Sequence, residues 1–220
     1  MTTTTIRHAK VDLRLHELRG GDGPVLLLLH GLGERSPSTV PPVAADWPGP
    51  VHALDFTGHG DSTIPTGGGY TCEVLMADAD AALGHLGRAT VHGRGLGGYV
   101  ALLLAGARPI DVRGAVIDDG PGLLGGPSAP ASPSVVQLAP DTPRTAPDAY
   151  ALVELTRDVR PGDYAASFAR QAAQLSDLEH PISVAAIGRP PWLEAAAEVV
   201  GVRELAAAAS LADYAALAAR

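Results

Sequence analysis

The sequence predicts an α/β fold: a mostly parallel sheet of about seven strands with helices on both faces. Three observations lead there. Short, wholly apolar runs recur along the chain, as strands covered on both faces do. Segments of helical length lie between them. Three of the runs end in glycine-rich turns, and open α/β sheets place their chemistry at the carboxyl ends of their strands.

Taken in order, residues 3–18 alternate in apolar and polar steps and read as two edge strands, closed by the turn cluster Gly20-Gly21-Asp22-Gly23-Pro24. Val25–Leu29 is the first buried parallel strand, ending in His30-Gly31, and Val51–Leu54 is the second, ending in Asp55. A helix over Thr71–Leu86 carries Val74, Leu75, Ala79, Leu83 and Leu86 on one side, with Thr71 as its N-cap. The third strand, Thr90–His92, runs into Leu96–Ala107, which is apolar nearly all round and so predicts a buried helix stopped by Pro109. The fourth is Gly114–Ile117, ending in Asp118-Asp119-Gly120, and the fifth is Ser183–Ile187. Residues 148–176 and 191–219 are alanine-rich and amphipathic. Residues 120–147 are rich in Pro, Gly and Ser and break this rhythm. They read as an excursion from the sheet, with 120–180 forming either a small cap or a long loop followed by two ordinary packing helices.

Composition narrows the classes. At ~150 residues per domain, 220 residues predict a single domain over 1–220. Apolar residues make up 46% of the chain and charged ones 18%, enough to build a core. No apolar run reaches the ~18 residues of a membrane span, and the N-terminus does not read as a secretory signal. The single cysteine, Cys72, excludes an internal disulfide and a cysteine-based zinc cage. With no asparagine there is no N-glycosylation acceptor. These features predict a cytoplasmic protein, and the abundance of Ala, Gly and Arg with a single Lys suggests a GC-rich, bacterial genome. The net charge of -8 argues against a nucleic-acid partner. Neither a phosphate-binding loop nor a dinucleotide fingerprint follows the first parallel strand, so no cofactor and no metal are expected.

The glycine-rich turns share a signature. They are His30-Gly31-Leu32-Gly33, Asp55-Phe56-Thr57-Gly58-His59-Gly60-Asp61-Ser62, and Gly93-Arg94-Gly95-Leu96-Gly97-Gly98. On these residues the chain resembles the α/β-hydrolase superfamily, in the branch holding esterases and haloperoxidase-like and thioesterase-like enzymes. The likeness runs from about residue 10 to about residue 125. It implies that the first turn and the amide of Leu96 form an oxyanion hole with Leu32 or Gly33. It also implies that the third turn is a nucleophile elbow.

The elbow holds Gly95 where the family has serine. Glycine takes the strained backbone but offers no nucleophile. The family's late histidine is missing too. The only histidine after Gly95 is His180, at the amino end of a strand, and the exit Gly188-Arg189-Pro190-Pro191-Trp192 carries no acid. The chain is shorter than a typical member, and the final strand is expected to be lost. Serine-based covalent catalysis is excluded.

What remains supports two readings. In the first, a degenerate enzyme binds the carbonyl of an activated acyl group, free or carrier-bound, at the oxyanion amides. Acyl transfer or hydrolysis then proceeds directly, with Asp119, His59 or Glu34 as proton acceptor and His30, Arg94 and Trp192 lining the pocket. In the second, a catalytically silent relative binds a small molecule or a protein partner. Several residues also have structural roles open to them. His30 can support its loop, Asp55 and His59 can hold their turn, Asp119 can be a turn aspartate, and Arg94 can be solvated. Cys72, His92, His85 and His180 read as structural.

Overall fold

The protein is described from a computed structural model, which covers residues 2–129, 137–139 and 141–218. Its eight strands are β1 (Thr2–His8), β2 (Val11–Arg19), β3 (Val25–Leu29), β4 (Val51–Asp55), β5 (Ala89–Arg94), β6 (Val112–Asp118), β7 (Ile182–Val184) and β8 (Val202–Glu204). They form one sheet in the order β1-β2-β4-β3-β5-β6-β7-β8. The first two strands make an antiparallel hairpin, and β2 also runs antiparallel to β4. Every pairing from β4 to β8 is parallel.

The helices are α1 (Cys72–Leu86), α2 (Leu96–Ala107), α3 (Ala149–Arg157), α4 (Gly162–Leu175), α5 (Pro191–Ala197) and α6 (Ala207–Ala218). Thr71 caps α1, its side chain accepting a bond from the Val74 amide at 3.3 Å. Helix α2 is buried on all sides because the sheet lies beneath it while α1 and α4 flank it. Its last turn closes on the Arg108 amide, one residue before Pro109.

The two faces of the sheet are covered unequally. One carries α1, α2, α4 and α5 over the larger apolar core. The other carries α6 and a short 3₁₀ turn at Pro42–Ala44, over a smaller core that includes Leu26, Leu28, Val116 and Tyr214. A parallel crossover usually contains a helix. Between β3 and β4 that helix is reduced to the single turn, because Pro37, Pro41, Pro42 and Pro48 interrupt the segment.

Two expectations are corrected. The final strand is not lost: β8 pairs with β7 at Val202–Glu204, inside a segment read as continuous helix. Its three residues are too few to interrupt an alanine-rich pattern, and Gly201, at φ 99°, is the signal that sets it off. The fifth strand is also shorter than Ser183–Ile187 and begins one residue earlier. The helical part of the 120–180 excursion divides in two. Helix α4 packs on α2 and α5 as part of the helical layer, whereas α3 lies over the loops at Gly33 and Gly68. Residues 130–136 and 140 of that excursion lie outside the described residues.

Candidate active site at the nucleophile elbow

The elbow forms where its glycines require. Gly95 links β5 to α2 at φ 55° and ψ -116°, a conformation that strains residues with a side chain. Its amide donates to the Asp118 carbonyl at 2.9 Å, tying the turn to β6. The amides of Leu32 and Leu96 converge on a single point, as an oxyanion hole demands.

That point is occupied by the chain itself. The Pro121 carbonyl oxygen accepts both amides, each at 2.9 Å. The availability of the Leu32 and Leu96 amides to a substrate is therefore corrected: their hydrogen-bonding capacity is spent. The Gly33 amide donates nothing to this oxygen. Gly33 sits in the turn at φ 75° under the Leu152 side chain. The plug also fills the nucleophile's position. A Cβ built on Gly95 would overlap the Pro121 oxygen and come within 2.5 Å of the Gly120 carbonyl carbon.

The plug is anchored on both sides. The fully buried Arg160 guanidinium donates to the carbonyls of Gly122 (2.6 Å) and Leu123 (3.1 Å) and stacks over Tyr99, 4.9 Å from the ring centre. Trp192 donates from Nε1 to the Leu123 carbonyl at 2.9 Å and meets Tyr99 edge-on. Trp192 was expected to line a pocket; it is buried as an anchor instead. Asp119 accepts from the amides of Ile187 (2.7 Å) and Gly188 (3.0 Å), so its carboxylate clamps the exit of β7 rather than facing the elbow.

The remaining candidate residues, whether read as bases, as pocket lining or as structural, are engaged or sealed. Glu34 accepts from the Gly31 amide at 2.9 Å with one oxygen and from Arg94 at 3.0 Å with the other, so both residues form a bridge across the loops. His30 donates from Nδ1 to the Gly31 carbonyl (2.8 Å) and accepts the Phe56 amide at Nε2 (3.2 Å). Burial, reinforced by neighbouring His59, pulls its pKa down to about 4, so the ring is a neutral loop support. His59 is fully buried, its Nδ1 bonded to the Thr57 carbonyl at 3.1 Å, and burial lowers its pKa also. Cys72 is buried, and burial raises its thiol well above the usual range.

Asp55 holds its turn. One oxygen accepts from the Ser36 amide (2.7 Å), the other from the Asp61 amide (2.8 Å) and from His16 (3.0 Å). Burial alone would raise its pKa, but these bonds outweigh it and lower the value. His16, Asp55 and Asp61 are the one acid and histidine grouping with metal-like spacing among the described residues. Since both Asp55 oxygens are already engaged, the grouping serves the turn.

An open site lies next to the elbow, on the thinly covered face of the sheet. A cavity of about 470 Å³ is walled by Leu28, Pro41, Pro42 and Val43, with Glu34, Arg94, His92 and Asp118 at its polar end. His92 Nε2 meets Asp118 Oδ2 at 3.2 Å, and this bond holds the Asp118 carboxyl below its usual range. Sequence reasoning placed His92 as a hydrogen-bonded histidine in the core but gave no hint of the cavity beside it. That feature depends on the missing crossover helix.

A family model for the Alpha/beta hydrolase family matches residues 26–219. The chain belongs to the α/β-hydrolase family. No curated protein matches it. Among solved structures, this α/β hydrolase is similar over its whole length to the thioesterase domain from the curacin biosynthetic pathway. That match has 17% identity and a TM-score of 0.67, covering 100% of this chain and 98% of that one. It is also similar to epoxide hydrolase A from Mycobacterium thermoresistibile, with 26% identity and a TM-score of 0.45. That match covers 53% of this chain and 38% of the other. A putative lipase from Acinetobacter baumannii AYE matches at 22% identity and a TM-score of 0.44, covering 54% and 42%. The α/β hydrolase described here thus spans about two fifths of the length of the latter two. Among the described residues no helix is long and apolar enough to cross a membrane.

Proposed function

We propose that this chain is a catalytically silent α/β-hydrolase relative that binds a small molecule in the cavity beside the elbow. It performs no acyl chemistry at the elbow itself. The observation that carries this reading is the Pro121 carbonyl oxygen, held at 2.9 Å by both Leu32 and Leu96 amides above Gly95. An oxyanion hole contributes to catalysis only when its donors await the developing charge. Here they already serve a neutral carbonyl that belongs to the protein. Direct acyl transfer without a nucleophile needs those same donors, so it loses its support together with the serine mechanism.

Binding, by contrast, has a site available. A concave volume of about 470 Å³ with aliphatic walls and a few converging polar groups is what small-molecule sites offer. Proline-rich walls keep such a site formed without a ligand.

The test combines two measurements on the full chain. Activated thioesters, aryl esters and a fluorophosphonate probe are expected to give no turnover and no covalent adduct by intact-protein mass spectrometry. A fragment panel followed by NMR is expected to move resonances of Leu28, Val43 and His92. An acyl or phosphonyl adduct, or turnover that disappears when Leu96 is replaced by proline to delete its amide, would overturn the reading. Fragment shifts confined to regions away from the cavity would do so as well.

A further inference from the structure

The polar end of the cavity can be read donor by donor. His92 and Arg94 are two residues apart on β5, so their side chains leave the same face of the sheet. Arg94 pairs in register with Asp118 of β6, and Leu28 of β3 pairs with His92. The groups therefore project from one face of the sheet, beside Leu28.

Most of their hydrogen-bonding capacity is spent within the protein. Asp118 Oδ2 is taken by His92 and Oδ1 by the Asp119 amide at 2.9 Å. Both oxygens of Glu34 are taken, by Gly31 and Arg94. Ser36 Oγ, also in the cavity lining, is buried without a partner among the described residues. Among the four residues of the polar end, two kinds of group remain without one in the described residues. One is Nδ1 of His92. The other is the pair of Arg94 nitrogens not used on Glu34, at the half-exposed mouth of the cavity.

The chemistry of the remaining groups follows from their neighbours. Because its bond to His92 favours the ionised form, Asp118 is a carboxylate, and the proton between them belongs to His92 Nε2. In the neutral imidazole that leaves Nδ1 as a lone-pair acceptor. Arg94 offers only donors. The formal charges lining the cavity, Arg35 and Arg94 against Glu34 and Asp118, cancel, so the site favours a ligand without net charge. The two open groups stand on alternate positions of one strand, so a ligand that meets both must span the gap between them. The wall between the polar end and the mouth is aliphatic and proline-lined.

We infer that the cavity is a site for a neutral hydroxyaryl carbonyl compound. Its hydroxyl donates to His92 Nδ1, its carbonyl oxygen accepts from Arg94, and its ring lies against Leu28, Pro41 and Val43. This assignment rests on the reading that the cavity binds a small molecule. It adds the class of ligand and the residue that reads each end. No bond to the protein forms, and the elbow takes no part.

The probes are 3-hydroxyacetophenone and 4-hydroxyacetophenone, with the corresponding methoxyacetophenones and acetophenone as controls. Binding to the full chain is measured by calorimetry and mapped by NMR. The hydroxyl compounds are expected to bind at least about tenfold more tightly than the methoxy compounds, the loss of about one buried hydrogen bond. His92→Phe keeps a ring in place and should abolish that preference. Arg94→Met should weaken all the ketones, and Val43→Trp should fill the cavity and block every probe. Thermal melts of each variant establish that it folds, and Arg94→Met serves should His92→Phe not.

Equal affinity for hydroxyl and methoxy compounds, or a preference unchanged in His92→Phe, would overturn the assignment. The small-molecule reading would then survive only if Val43→Trp still blocked the fragments found above. Failure of every hydroxyacetophenone to bind at millimolar concentration would also overturn the assignment. Binding mapped outside the cavity would overturn both.

Discussion

Replacing Gly95 by serine restores the family's residue and should damage the protein. A Cβ at this position overlaps the Pro121 oxygen and approaches the Gly120 carbonyl carbon to 2.5 Å, and both obstacles are backbone. The plug must therefore move. Three costs follow. A side chain at φ 55° loses about 1–2 kcal/mol of backbone strain that glycine avoids. Expelling Pro121 forfeits two hydrogen bonds, net about 1 kcal/mol each. The Leu96 amide sits on a residue with no exposed surface, and leaving such a donor unpaired adds about 1–3 kcal/mol. The expected loss is about 4–7 kcal/mol, a large share of the ~5–15 kcal/mol that typically holds a domain folded. At about 2–4 °C per kcal/mol for a chain of this size, the melting temperature should fall by roughly 8–28 °C. Urea denaturation of Gly95→Ser and Gly95→Ala against the parent measures this, and the two variants should lose similar amounts because the Cβ is what clashes. Gly84→Ala is the control. It lies within α1 with nothing within 4 Å of its added Cβ, and should gain up to about 1 kcal/mol from helix propensity. A serine variant as stable as the parent, or one that reacts with a fluorophosphonate, would refute the proposal that the plug and the glycine depend on each other.

Two further outcomes follow from the site. His30 has its pKa depressed from 6.5 to about 4, so the fold favours its neutral form and the unfolded chain takes up the proton first. Its contribution is complete above pH 6.5 and declines towards pH 4, by about 3 kcal/mol on that gap. Urea midpoints should fall across this window, and His30→Gln should flatten the fall; an unchanged slope would show that His30 does not carry it. Asp119→Asn should cost about 1–2 kcal/mol, since an amide cannot accept from Ile187 and Gly188 as a carboxylate does. Hydrogen exchange at those two amides should rise, whereas an effect seen only on chemistry at the elbow would contradict the clamp.

The sheet was legible because its central strands announce themselves. Val25–Leu29 is apolar throughout and Ala89–Val91 is buried with a single threonine, as strands covered on both faces are. The elbow glycines were legible for the same local reason, since φ 55° at Gly95 restricts what residue can sit there. The short strand β8 was hidden because three residues carry too little period to set against an alanine-rich background. The expected oxyanion hole failed through a contact between residues distant in sequence. Local pattern shows that the Leu32 and Leu96 amides converge, but not that Gly120-Pro121-Gly122 returns over them. A signal existed in hindsight of the geometry: a proline between two glycines, directly after a strand end, makes a stiff and compact turn of the kind that can enter a narrow hole. The cavity had no sequence signal of its own. It arises where the β3–β4 crossover lacks a helix, and prolines alone do not say which face of the sheet is left uncovered.

On the silent reading proposed above, glycine at position 95 and the Pro121 plug belong together. With serine at position 95, the side chain would project into the space that the Pro121 carbonyl takes, so a working elbow and this plug exclude each other. With glycine and no plug, the amides of Leu32 and Leu96 would be left without a partner from the protein. The Pro121 oxygen satisfies both at 2.9 Å, and Arg160, Trp192 and Asp119 hold the turn that supplies it. Anchors of this kind include a fully buried cation, whose Nη1 donates to two carbonyls and whose plane stacks on the Tyr99 ring, while Nε and Nη2 have no hydrogen-bond partner among the described residues. A chain that had merely lost its serine would keep an accessible hole and need none of these contacts. Their presence argues that the elbow is part of the core, which leaves the ligand site proposed above to the other face of the sheet, at His92 and Arg94.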